Sequence, residues 1–183
     1  MSWEEQLFAL FDDLEQQAEG LFQAERDLEI ADRGQAEYAA VTLVSRLMAS
    51  VDRDLVVNVR GLGAVRGSLQ RVCADWILVS GGVAGTATEW IIRLPAVSHV
   101  LGAAERSVPE PAWSPVAKLG LGSALRRIAS GRQECVVHLL DGTSHQCRPT
   151  RVGGDFVEAR TGMSTTTLFA FESIGAVQKR DVE

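Results

Sequence analysis

Residues 56–79 read VVNVRGLGAVRGSLQRVCADWILV, and residues 136–159 read VVHLLDGTSHQCRPTRVGGDFVEA. Aligned without a gap, 80 residues apart, the two stretches share Val56/Val136, Val57/Val137, Arg71/Arg151, Val72/Val152 and Asp75/Asp155. Trp76/Phe156 and Ile77/Val157 are alike, and the same register reaches back to Arg46/Arg126, Ala49/Ala129 and Ser50/Ser130. A constant offset carried through two kinds of element is the mark of a duplicated structural unit.

Working outward, each copy reads as a helix followed by about five short strands. In the first copy the strands are Leu55–Arg60, Ala64–Val72, Asp75–Ser80, Glu89–Leu94 and Val97–Val100. Gly61-Leu-Gly63 is a turn, and the glycine-rich residues 81–86 are a hairpin tip. The second copy repeats this with Glu134–Leu140, Thr143–Arg148, Asp155–Arg160, Thr165–Phe171 and Ile174–Val177. Asp141-Gly142 reads as a two-residue type I′ turn, which places His138 opposite His145. Ala36, Ala39, Leu43 and Leu47 keep helical spacing over Gln35–Ser50, and Leu125 and Ile128 do so up to Gly131. Three of the five prolines fall within residues 102–115, which marks a linker.

The N-terminal segment has its own pattern. Ser2 with Glu5 forms a capping-box signature, and Leu7, Leu14, Leu21 and Leu28 recur every seven residues. That spacing predicts a long helical arm over residues 1–36, either folded back on the rest of the chain or coiled with another copy. Residues 1–35 carry ten acidic and two basic side chains, a net −8, whereas the rest of the chain carries fourteen and sixteen, a net +2. The overall −6 therefore says little about partners, because local patches decide them.

Ordinary composition, no apolar run near the roughly 18 residues of a membrane span, and an acidic N-terminus without a basic leader predict a cytoplasmic protein with no membrane contact. Cys73, Cys135 and Cys147 are an odd number without framework spacing, which fits reduced thiols. The expected architecture is α+β: the arm, a first small barrel over residues 37–103, a linker over 104–112 and a second small barrel over 113–183.

The strand pattern VRGLGAVRGSLQRVCADWILV with EWIIRLPAVSHV, and LLDGTSHQCRPTRVGGDFVEA with TLFAFESIGAV, resembles the Sm-like small barrel, one of the SH3-like barrels. Such proteins typically bind RNA on rings assembled through the edges of their fourth and fifth strands. The Arg/Lys-Gly pair that precedes the family's last strand is replaced here by Leu94-Pro95 and Phe171-Glu172. The whole chain, with its opening MSWEEQLFALFDDLEQQAEGL, also resembles an uncharacterised actinobacterial family.

Two function classes follow. The leading one is a non-catalytic macromolecule-binding scaffold that engages a protein partner or itself through residues 3–33, with Leu7, Leu14, Leu21 and Leu28 as contacts. The alternative, implied by the resemblance, is an RNA- or DNA-binding regulator that uses Arg71, Arg126, Arg127, Arg148 and Arg151 on phosphates. Trp76, Trp90, Phe156 and Phe169 occupy strand positions suited to core filling. His138, His145 and Cys147 share a hairpin and have zinc-ligand chemistry, but no fourth ligand is in sight. No nucleophile elbow, phosphate loop or metal loop is present. The reading is accordingly of no enzyme, no cofactor, no metal and no small-molecule substrate.

Overall fold

The computed structural model describes residues 37–81, 88–162 and 165–179, together with Gln16, Glu19, Phe22, Gln23, Arg26 and Gln35. The chain divides into two compact units, Met1–Val41 and Thr42–Glu183. In the first, the described positions up to Ala39 are helical and exposed. Leu7, Leu14, Leu21 and Leu28 lie outside the described residues, as do the hairpin tip at 82–87 and the last four residues.

Among its described residues the second unit holds ten antiparallel strands. They are β1 (Asp54–Val59), β2 (Gly63–Val72), β3 (Trp76–Gly81), β4 (Thr88–Arg93), β5 (Val97–Leu101), β6 (Cys135–Leu139), β7 (Ser144–Val152), β8 (Phe156–Thr161), β9 (Thr165–Ala170) and β10 (Ile174–Lys179). Two short helices, α1 (Leu43–Met48) and α2 (Leu121–Ser130), precede β1 and β6. The strands form one sheet in the order β5-β1-β2-β3-β4-β10-β6-β7-β8-β9. This corrects the α+β expectation. Among the described residues the longest continuous helix has ten residues, and the two copies share one mostly β unit rather than forming two separate barrels behind a long helix. The physical reason is that an edge strand left by one copy is completed by the backbone of the other.

The duplication holds at the level of register. Val56, Val57 and Asn58 of β1 face Leu101, Val100 and His99 of β5, and Val136, Val137 and His138 of β6 face Gln178, Val177 and Ala176 of β10. The register slips between Leu69 and Arg71 in β2 and between Pro149 and Arg151 in β7, the same place in each copy. Such bulges bend a strand and increase its twist. Leu69 and Val72, three residues apart, both face inward because of it. Gly67 permits a close crossing of strands, since a Cβ there would lie 2.3 Å from the Ser80 carbonyl oxygen.

The copies meet along β4 and β10, where Glu89, Trp90, Ile91 and Ile92 face Lys179, Gln178, Val177 and Ala176. Both strands are buried on two faces: Ile92 and Ala176 belong to the core of the first copy, Ile91 and Val177 to that of the second. The turn after β1 also abuts the other copy. Gly61 has φ +77°, and a Cβ there would lie 2.5 Å from the Leu139 carbonyl oxygen.

The segment between the copies is laid over the first. Arg46 donates through Nε and Nη2 to the Ala104 carbonyl at 2.9 and 2.7 Å, and Ala104 N–H donates to Ser50 Oγ at 2.8 Å. Val108 N–H reaches the Ser45 carbonyl at 2.9 Å. Helix α1 opens on its own capping box, Thr42 with Ser45, rather than continuing one helix over 35–50. The N-cap residue of helix α2 is Gly120, which has no side chain to cap it. Asp75, at the β2–β3 turn of the first copy, supplies the cap by accepting from Leu121 N–H at 2.9 Å. Its carboxylate thus serves the other copy's helix. Trp76 reinforces this by donating Nε1–H to the Leu119 carbonyl at 3.1 Å.

Loss of an N-terminal cap costs about 1 kcal/mol. Asp75→Ala is expected to destabilise the folded chain by that order in urea titration, and Asp75→Asn, which keeps the acceptor, by less.

Candidate interaction surfaces

Two kinds of surface stand out: the open edges of the sheet and a groove lined by arginines. Among the described strands, β5 pairs with β1 alone and β9 with β8 alone, so each leaves one row of backbone groups unpaired by strand. Native edges are usually blunted by Lys, Pro or other charge. Neither edge is blunted here, since β5 reads VSHVL and β9 reads TTTLFA. Leu101 is 58% exposed and Leu168 62%, whereas Ile91, the residue of β4 that corresponds to Leu168, is 9% exposed at the junction.

The five arginines singled out from sequence do not share one face. Arg148 is bound to Glu134 at 2.8 Å, and Arg151 sits opposite Glu158 on the neighbouring strand. Arg126 is exposed on α2. Arg71 and Arg127 do come together, across a groove of about 590 Å³ that runs between α2 and the β3–β4–β10 sheet. Trp76, Ile91 and Ile128 form part of its wall, and Lys179 and Glu89 lie at its margin, paired at 2.8 Å. Trp76 and Phe169 are buried as expected, but Phe156 is exposed.

The hairpin histidines are not partners. The β6–β7 connection is a longer loop in which only Gly142 has positive φ, so His138 faces Ser144 and His145 faces Val137. A one-residue difference in register moves a side chain to the other face of a sheet. His138 packs on Trp90, with ring centres 5.4 Å apart, and lies 3.4 Å from Gln178 Oε1. His145 packs on Phe169 and Cys147 faces Cys135. Among the described residues no group of three His, Cys, Asp or Glu could hold a metal, and no helix is long and apolar enough to cross a membrane.

Sequence reasoning missed Leu168, Leu101, Glu89 and Lys179. The absence of charge and proline from Thr165–Ala170 was the available signal for an open edge. No protein-family model, curated protein or solved structure matches the chain.

Burial against Trp90 lowers the pKa of His138 below the ordinary 6.5, offset in part by Gln178. The unfolded chain then binds the proton more readily than the folded one. The contribution to stability is present above the unfolded value and is lost as pH falls through it toward the folded value. Urea midpoints are expected to drop between about pH 7.5 and about pH 5.5, and less so in His138→Phe, which keeps a ring on Trp90.

Proposed function

We propose that this chain is a non-catalytic scaffold that binds macromolecules, and first of all other copies of itself, through the two open edges of its sheet. The observation that carries this reading is the internal β4–β10 junction. Inside the chain, the fourth strand of one copy pairs with the fifth strand of the other. The strands left over are the fifth of the first copy, β5, and the fourth of the second, β9. They are the same complementary pair, displayed on opposite ends of one sheet.

Transferring the register of the junction sets Leu168 of one chain against Val100 of the next, with Phe169 facing His99 and Thr167 facing Leu101. Such head-to-tail contacts are heterologous and generate rings or filaments. Strand addition supplies backbone hydrogen bonds, and burial of a leucine adds roughly 1.5–3 kcal/mol.

Sedimentation of the wild-type chain at micromolar concentration is expected to give a multiple of the chain mass. Leu168→Lys with Val100→Lys should return it to the single-chain mass with its circular dichroism unchanged. A wild type that sediments as a single chain throughout would overturn the reading.

A second reading is favoured by one observation, the meeting of Arg71 and Arg127 beside Trp76 in a single groove. Two guanidinium groups lining one groove are the chemistry that contacts the phosphates of nucleic acid. Fluorescence anisotropy with labelled RNA and DNA oligomers should then show binding that falls with salt. It should weaken about tenfold or more in Arg71→Ala with Arg127→Ala, since fewer phosphates are then neutralised and fewer counterions released. Arg148→Ala, whose guanidinium is engaged with Glu134, should leave it nearly unchanged.

A further inference from the structure

Cys135 and Cys147 stand directly opposite each other on β6 and β7. Their sulfur atoms are 3.9 Å apart, and the residues are 0% and 3% exposed. A disulfide needs the sulfurs at about 2.05 Å and the Cβ atoms within about 4.5 Å. Directly opposed residues in antiparallel strands hold their Cβ atoms about 4.5–5.5 Å apart. Rotation of the two side chains with a slight approach of the strands therefore closes the gap.

The same hairpin in the first copy does without sulfur. There the corresponding residues are Leu55 and Gly67, opposite each other in the same register. The fold does not require a thiol pair at this place. Cys73 is engaged elsewhere, with its sulfur 3.8 Å from the Val116 carbonyl oxygen.

We propose that Cys135 and Cys147 are a modification site, a core dithiol that a peroxide converts into a cross-strand disulfide. The hydrogen bond between the two sulfurs pushes the Cys135 pKa up and draws that of Cys147 down. Of the two thiols, Cys147 gives up its proton the more readily. It attacks one oxygen of hydrogen peroxide, the O–O bond breaks, and Cys147 becomes a sulfenic acid as hydroxide leaves. The proton that Cys147 first released converts this hydroxide to water. Cys135 sulfur then attacks the sulfenic sulfur, the S–O bond breaks, and the departing hydroxide takes the Cys135 proton as a second water. Two thiols and one peroxide yield one disulfide and two waters. The crosslink would lock the β6–β7 hairpin beside the junction between the copies, because Cys135 faces Lys179 of β10 and Lys179 pairs with Glu89 of β4.

The test uses the full reduced chain, treated with hydrogen peroxide, quenched, denatured and alkylated. Residues 133–151 form one tryptic peptide that carries both cysteines. This peptide is expected to lose two hydrogens and take up no alkylating group, while Cys73 is alkylated in full. Dithiothreitol should restore both alkylation sites. In Cys147→Ser the peptide should keep its hydrogens, and Cys135 should oxidise many-fold more slowly than in the wild type. Full alkylation of both cysteines after peroxide, added oxygen without a crosslink, or a bond to Cys73 would each overturn the proposal. So would unchanged Cys135 oxidation in Cys147→Ser.

Discussion

The pairing of β4 with β10 is the constraint on which the rest of this unit depends. Each copy ends its own strand order on an open fourth strand at one side and an open fifth at the other. Unpaired backbone groups are costly when they are buried, so joining two such edges satisfies both at once. Burial at the joint outweighs its charges. Ile91, Ile92 and Val177 each contribute roughly 1.5–3 kcal/mol on full burial, while a partly exposed pair such as Glu89–Lys179 contributes up to about 1 kcal/mol. The apolar strands hold the copies together and the ion pair sits at the end of the register.

That joint explains several features that otherwise look unrelated. β10 has four consecutive buried residues, Ile174–Val177, because a strand between two cores has no solvent face. Trp76 and Cys73 belong to the first copy by sequence but pack in the core of the second. Asp75 caps α2 across the joint, and the chain between the copies is held down by Arg46, Ser50 and Ser45. The same geometry brings Arg71 and Arg127 to one groove, since β2 of one copy and α2 of the other lie on its two sides. It also determines which edges remain open.

From the order of residues alone followed the duplication, the number and approximate limits of the strands, and the helix before each set. These are local matters: alternation of apolar residues, turn residues and caps act over a few positions, and the 80-residue offset made each copy a check on the other. His138 and His145 show where this stops. Asp141-Gly142 suits a two-residue turn, but the loop took more residues, and the shift put the two rings on opposite faces. The five arginines show the same limit, because spacing along a strand says nothing about Glu134 or Glu158 on the strand beside it.

Which copy completes the other was decided only in three dimensions. Strand pairing joins residues as distant as Glu89 and Lys179, and no periodicity within either segment names its partner. The choice rests on matching two apolar, doubly buried strands while capping a helix from across the joint, and these terms exist only once both copies are folded. The chemistry of each edge was written in Val97–Leu101 and Thr165–Ala170. That these two were the edges left open depended on the partners already taken by β4 and β10.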